Sequence, residues 1–271
     1  MPELPEVETT RAGLEPLLVG RRVTAVSVRE RRLRQPVPAR LAATLDGQRL
    51  RAIERRAKYL LFRFETGTLL GHLGMSGSMR VVARGEEVRK HDHVDLDFGA
   101  RRVLRYHDPR RFGLLLWQRG DAPHPLLHAL GPEPLGADFD GAVLHAQARG
   151  RKIAVKPFLM DAKVVVGVGN IYASEALFRA GIRPGRAAGR LTRPDCDRLA
   201  DAVRAVLGAA VARGGTTLRD FVGGDGEPGY FAQELAVYGR EGAPCRTCGS
   251  AVQARVLGQR STFWCPRCQP R

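Results

Sequence analysis

Four of the five cysteines stand in two Cys-x-x-Cys pairs, Cys245 with Cys248 and Cys265 with Cys268, separated by sixteen residues near the C-terminus. Each pair has the spacing of a tight knuckle, and four thiolates suit a tetrahedral zinc ion. The pattern requires a small module built around one Zn2+. Strands are expected over Gln253 to Gly258 and Thr262 to Trp264, with Arg260 at the hairpin tip between them. Four protein ligands leave the metal no open position, so the expected zinc is structural and does not activate water. Two redox dithiols or coincidental thiols are the alternative. The cysteines are too few and too clustered for a disulfide framework in 271 residues. Cys196, on a predicted helix, reads as an inert, partly buried thiol.

A module held by zinc does not explain the charge. The chain carries 44 Lys and Arg against 28 Asp and Glu, a formal charge of +16. Most of the excess is arginine, whose planar fork suits phosphate, so a polyanion is the expected partner. The positive residues are spread along the chain without a basic tail, which places them on folded surface. An anionic membrane surface is the weaker alternative. No run approaches the eighteen apolar residues that span a bilayer, and the N-terminus lacks a basic segment followed by an apolar one. A soluble, intracellular, cytoplasmic protein without a membrane partner is the expectation.

Hydrophobic spacing divides the chain in two. Val7, Leu14, Leu17 and Leu18 predict a leading helix from Pro5 to Val19, with Pro16 as a kink. Strands are expected at Arg22 to Arg29, Leu50 to Arg55, Tyr59 to Phe64, Thr68 to Leu73, Val94 to Phe98, Val103 to Tyr106 and Leu114 to Trp117. Turn signals at Glu65-Thr66-Gly67 and Gly99-Ala100 suggest hairpins, so the first part is mainly antiparallel β. Composition then shifts to Gly, Pro and Asp between about 131 and 150, as in a linker running into a short helix. Beyond it, Asn170 is the expected N-cap of a helix over Ile171 to Arg179. Thr192 with Asp195 forms a capping-box pattern before a helix that ends near Gly214-Gly215. The expected organisation is an N-terminal β domain over residues 1–130, a linker and short helix over 131–150, a helical domain over 151–235 and the zinc module over 236–271.

The N-terminus carries the most reactive candidate. Removal of Met1 would expose Pro2 as a secondary amine beside Glu3. Such an amine condenses with a sugar aldehyde carbon to an iminium that cannot shed its charge by losing an N–H, and so remains an electron sink. Taken alone, Pro2-Glu3-Leu4-Pro5-Glu6 reads equally well as a helix start, with Pro5 in the first turn and carboxylates favouring the dipole.

Four separated segments settle between these readings. Pro2-Glu3-Leu4-Pro5-Glu6-Val7-Glu8-Thr9, Asp108-Pro109-Arg110-Arg111-Phe112-Gly113, Gly167-Val168-Gly169-Asn170-Ile171-Tyr172-Ala173-Ser174-Glu175 and the cysteine quartet together closely resemble the bacterial formamidopyrimidine-DNA glycosylase family, from end to end of the chain. The resemblance implies an α+β fold: an N-terminal antiparallel β-sandwich with a leading helix, then a helical helix–two-turn–helix domain with a zinc-finger β-hairpin. It implies base excision of oxidised purines, 8-oxoguanine and formamidopyrimidines, from double-stranded DNA, followed by strand cleavage by β,δ-elimination at the abasic site. The expected agent is a monomer.

Site residues follow from the same resemblance. Pro2 is the implied nucleophile at C1′ of a flipped nucleotide and Glu3 the acid/base. Lys58 is implied in β-elimination and phosphate contact. Arg260 is implied in δ-elimination, and phosphate binding suits it better because a guanidinium is a poor proton donor. His72, His91, Arg151, Lys156 and Asn170 match or lie at DNA contacts, with Lys152 as the alternative to Arg151. Met75, Arg110 and Phe112 match the trio that fills the vacated space: Arg110 faces the orphaned cytosine, Phe112 wedges the stack and Met75 occupies the gap. The Gly-rich segment from Thr216 to Tyr230 matches the loop over the flipped base. Two rival readings stand: an endonuclease VIII-like glycosylase for oxidised pyrimidines, and a non-catalytic zinc-finger DNA-binding protein. Leu4, the Arg110-x-Phe112 pair and the Gly223 to Gly229 loop favour the purine branch over the first, and Pro2-Glu3 argues against the second.

Overall fold

The computed structural model describes residues 2–215 and 235–270; the expected loop from Thr216 to Tyr230 lies outside them. The chain forms two compact units, one running through His128 and taking in the segment from Arg213, the other comprising Ala129–Ala212 and the C-terminal segment.

The first unit opens with α1 (Leu4–Leu18). Glu3 caps it: its N–H donates to Glu6 Oε2 at 2.8 Å, satisfying an otherwise orphaned group at the helix start. Leu4, Val7, Thr10, Leu14 and Leu18 form the buried face. Pro16 does not end the helix, which continues to Leu18; so near the C-terminus the proline forfeits a single ladder bond.

Eight strands follow: β1 (Ala25–Val28), β2 (Ala52–Arg56), β3 (Tyr59–Arg63), β4 (Gly67–His72), β5 (Ser78–Ala83), β6 (Asp92–Asp97), β7 (Arg102–His107) and β8 (Leu114–Arg119), with a short helix α2 (Leu41–Leu45) between β1 and β2. They make two antiparallel four-stranded sheets, in the orders β1-β6-β7-β5 and β2-β3-β4-β8. Both expected hairpins are present, closed by Phe64 N–H to Gly67 O and Phe98 N–H to Arg102 O. Neither β5 nor α2 follows from the periodicity. On β5 Met79 and Val81 face the main core, but Val81 is only partly buried and the adjacent Val82 on the other face is buried too, which masks the alternation; α2 is too short to show a helical repeat.

The main core lies between the sheets and against α1, where Ile53, Leu60, Phe62, Leu69 and Leu115 meet Met79, Val94, Leu96, Leu104 and Tyr106. The second sheet is also covered on its other face, where Leu61, Leu70, Leu114 and Leu116 pack with Tyr59, Leu126 and Leu127. That double covering explains why β3, β4 and β8 read as continuous apolar runs.

The second unit contains α3 (Gly141–Ala148), α4 (Val155–Leu159), α5 (Asn170–Arg179) and α6 (Arg193–Ala212), then the hairpin β9 (Gln253–Leu257) and β10 (Arg260–Trp264). Thr192 and Asp195 make the expected reciprocal cap of α6, at 3.0 and 3.2 Å. Two expectations are corrected. Gly169, not Asn170, is the N-cap of α5, and Asn170 is its first helical residue. The hairpin tip is Gly258-Gln259, both at positive φ (54° and 60°), so Arg260 opens β10 opposite Leu257. A two-residue turn of this kind matches strand twist.

Phe62→Ala would remove a fully buried ring from the centre of the sandwich. A loss of about 3–5 kcal/mol is expected in urea unfolding.

Candidate active site and nucleic-acid interface

Pro2 and Glu3 are buried at the N-terminus of α1. Peptide dipoles concentrate partial positive charge there. Glu8 on the same helix pairs with Arg55 of β2 at 2.8 Å, and Arg55 Nη1 donates to the carbonyl of Ala57 at 3.0 Å. The helix start and the β2–β3 turn are thereby tied together. That turn carries Lys58, half-buried, after Ala57 in left-handed backbone (φ 56°). A potential amine nucleophile, a carboxylate and an ammonium thus come from two segments held by one ion-pair relay.

His72 ends β4. Its Nδ1 accepts the Gly74 N–H at 2.9 Å, and its ring lies 4.9 Å from that of Tyr59. Burial, aided by the positive fields of Lys58 and Arg34, pushes its pKa down to about 4. Near neutral pH the imidazole is therefore uncharged, with Nδ1 as acceptor and Nε2–H as donor. Arg34 is a residue that sequence reasoning missed. It lies between β1 and α2, where no periodic element pointed to it, and its backbone N–H reaches Gly113 O at 3.1 Å.

Met75 sits in the β4–β5 turn and is half-buried, whereas Arg110 and Phe112 are exposed in the β7–β8 loop. The Arg110 guanidinium stacks 4.7 Å above the Phe112 ring centroid. An apolar ring 45% exposed beside a cation is poor for folding but apt for meeting unstacked bases. The two loops approach backbone to backbone: a Cβ on Gly74 (φ +64°) would come within 2.4 Å of Gly113 N. His91, also at positive φ (79°), precedes β6 with its ring 6.1 Å from those of His93 and His107. Partial desolvation, together with Lys90 and these histidines, holds its pKa below the ordinary value.

In the second unit Arg151 and Lys152 are both exposed, just after α3. Lys156 corrects an expectation. Its side chain is only 1% exposed, and Nζ donates to Ser261 O at 2.8 Å and Thr262 Oγ1 at 3.0 Å. The ammonium supports the zinc hairpin from beneath and does not face solvent as a phosphate contact would. Asn170 Nδ2 donates to the Tyr238 hydroxyl at 3.2 Å, while its Oδ1 is buried without a hydrogen-bond partner among the described residues. Tyr238 was also missed by the sequence reading. Its backbone is pinned by buried Glu175 of α5, whose carboxylate accepts the N–H groups of Ala236, Val237 and Tyr238 at 2.7, 3.0 and 2.8 Å. Its ring packs edge-on against Phe263 of β10. Nothing local in the sequence pairs residues about 60 positions apart. Arg260 is exposed beside the hairpin turn.

The four Sγ atoms of Cys245, Cys248, Cys265 and Cys268 lie within 4.8 Å of one another. The N–H groups of Thr247 and Cys268 point at Cys245 Sγ and Cys265 Sγ, both at 3.4 Å. Such amide donors stabilise thiolates, so the donor set fits one structural zinc. Cys196 is fully buried in α6, where burial pushes its thiol up to about 11 and makes it inert.

Three family models match in succession: the formamidopyrimidine-DNA glycosylase N-terminal domain over residues 1–115, the formamidopyrimidine-DNA glycosylase H2TH domain over 130–222, and a zinc finger found in FPG and IleRS over 242–271. The formamidopyrimidine-DNA glycosylase of Stutzerimonas stutzeri is 60% identical over 269 residues, covering 99% of this chain and all of the relative. A Lactococcus lactis FPG mutant complexed with Fapy-dG containing DNA superposes with a TM-score of 0.93 at 34% identity, covering 100% of both chains. MutM in complex with carbocyclic 8-oxo-G containing DNA gives 0.92 at 34%, again over 100% of both.

A histidine pushed from 6.5 to about 4 on folding takes up its proton in the unfolded chain first. Stability should therefore rise with pH between about 4 and 6.5. His72→Asn should flatten part of that slope in urea titrations at pH 4.5 to 7.5, and an identical slope would contradict the burial of a neutral ring. Lys156→Met keeps the stem but leaves the Ser261 carbonyl and Thr262 hydroxyl without their donor. A loss of about 1–3 kcal/mol is expected, with faster amide exchange over residues 253–264 as the readout.

Proposed function

The chain belongs to the formamidopyrimidine-DNA glycosylase family, and on that premise we propose that it excises oxidised purines through Pro2 and then cuts the strand on both sides of the sugar. It is a DNA glycosylase with lyase activity and carries one structural zinc. Buried Pro2 and Glu3 at the helix start, tied to the Lys58 turn by the Glu8–Arg55 relay, carry the reading.

With Met1 removed, the Pro2 nitrogen attacks C1′ of the everted nucleotide and the N-glycosidic bond breaks, the electron pair leaving with the base. Sugar-ring opening yields an iminium at C1′. The positive nitrogen acidifies the C2′ hydrogen, so its abstraction expels the 3′ phosphate. Extended conjugation then permits loss of the 5′ phosphate. Glu3 is the proposed proton carrier at the sugar, and Lys58 serves the first elimination and neutralises phosphate. Neutral His72 offers Nε2–H to a phosphate oxygen without itself adding charge. Exposed Arg151, Asn170 at a helix N-terminus, His91 and Arg260 are proposed phosphate contacts, and the +16 balance supports a salt-sensitive grip on the duplex. Met75, Arg110 and Phe112 fill the space left by the flipped base, with Arg110 toward the opposite cytosine. The Cys245, Cys248, Cys265 and Cys268 site holds the hairpin that presents Arg260 and takes no part in bond making.

The solved relatives bound to Fapy-dG and to an 8-oxo-G analogue favour purine lesions over the oxidised-pyrimidine reading. No helix among the described residues is long and apolar enough to cross a membrane. We place the protein in the cytoplasm, associated with the nucleoid through DNA, and acting as a monomer.

Borohydride trapping on duplexes bearing 8-oxoguanine opposite cytosine, followed by peptide mapping, should give an adduct at Pro2. Pro2→Gly should abolish excision while duplex binding survives. Preferential trapping on an oxidised pyrimidine would reverse the lesion assignment, and tight binding with no adduct would remove the catalytic one.

A further inference from the structure

Asp108 is fully buried, yet the donors it collects come mainly from loops. Oδ1 accepts the Ser76 hydroxyl at 3.1 Å, and Oδ2 accepts the Tyr106 hydroxyl at 3.2 Å and the Gly113 N–H at 2.8 Å. Ser76 Oγ in turn accepts the Arg110 N–H at 3.3 Å. The Asp108 carbonyl lies 2.8 Å from His93 Nε2, and its N–H donates to His91 O at 3.1 Å. One carboxylate therefore joins the turn that carries Met75 to both ends of the loop that carries Arg110 and Phe112.

We propose that Asp108 is the positioning residue for the duplex-remodelling trio, fixing Met75, Arg110 and Phe112 relative to one another and so setting discrimination for the base opposite the lesion. The inference rests on the reading that this trio fills the vacated stack.

Three features of the site favour positioning over a general contribution to stability. The contact between the loops has no side-chain layer to adjust it: a Cβ on Gly113 would fall 1.8 Å from the Tyr106 hydroxyl and 2.4 Å from His72 O. Errors in the polar anchor must then move backbone, and with it the exposed side chains. Burial pushes the Tyr106 phenol up, so it stays a donor throughout the working pH range. The Tyr106 hydroxyl also reaches His72 O at 3.3 Å, but the Ser76 hydroxyl and the Gly113 N–H are answered by the carboxylate, so an amide in its place meets one of these donors with an N–H. Finally, Arg110 and Phe112 are exposed, so little packing of their own holds them, and their placement falls to the backbone beneath.

Asp108→Asn places an amide NH2 against a donor that the carboxylate accepted. The test uses the full-length, zinc-loaded protein, with Ser76→Ala and Tyr106→Phe as milder variants that each delete one hydroxyl donor. Thermal melts identify which variants are folded. Three readouts are compared with wild type: Pro2 trapping on a single-stranded abasic site, excision of 8-oxoguanine opposite cytosine and opposite adenine, and fluorescence of a pyrrolocytosine placed opposite a tetrahydrofuran abasic analogue. Folded variants should trap on the single strand within about twofold of wild type. The cytosine-to-adenine excision ratio should fall by about tenfold, the rate ratio that corresponds to losing one buried hydrogen bond's positioning. The fluorescence response of the orphan base should shrink in parallel. An unchanged ratio and unchanged fluorescence in the folded variants would overturn the proposal, as would equal losses on all three substrates. Wild-type protein without a Pro2 adduct, or without any preference for the opposite base, would instead defeat the functional reading on which the proposal rests.

Discussion

Backbone position, more than side-chain chemistry, is what the first unit has to control, and the doubly covered β2-β3-β4-β8 sheet supplies it. Phe62 and Leu69 face the main core while Leu61 and Leu70 face a second apolar layer, so neither β3 nor β4 can slip by one residue without burying the wrong face. Register on β3 and β4 places Tyr59 directly opposite His72. The Lys58 turn precedes one member of that pair and the Met75 turn follows the other, so both leave the sheet at the same end. A one-residue slip would exchange the two faces of the strand and carry the turns with it.

The second unit solves a related problem with fewer residues. A small zinc module has little core of its own: Val237, Val252 and the cysteines themselves make most of it. Two buried ionisable side chains attach it to the helices. Glu175 of α5 gathers three consecutive amides ahead of the knuckles, and Lys156 of α4 reaches the inner strand of the hairpin. Burying such charges is expensive unless each is met by several partners, and here each is. The result places a rigid hairpin next to Asn170 and Tyr238, so Arg260 is presented by a scaffold that four thiolates and two charges hold together.

Electrostatics divides into a general and a local part. The excess of arginine draws the duplex without reading it, and many of these guanidiniums are already paired on the surface, as Arg11, Arg63 and Arg193 are. At the site the protein removes charge where it would compete: His72 is kept neutral by burial beside Lys58 and Arg34. In the mechanism proposed above, the uncharged His72 Nε2–H is left to orient a phosphate beside the Lys58 ammonium.

Much of this was legible in the chain alone. The cysteine spacing determined a four-thiolate zinc module, the alternation and turn residues determined the antiparallel hairpins, and the Pro-Glu start marked a helix N-terminus, because each depends on residues close in sequence. Lys156 shows where such reading stops: a lysine in a basic protein reads as a phosphate contact, yet folding carries its ammonium to a hairpin more than 100 positions away. Asn170 reads as a cap but begins the helix and turns its amide to Tyr238. Asp108 stands within a recognisable motif, but its donors at Ser76 and Tyr106 are set by sheet register and loop contact. Only tertiary structure could decide these placements, since the cost of burying a charge or an amide is met by partners that the linear order keeps apart.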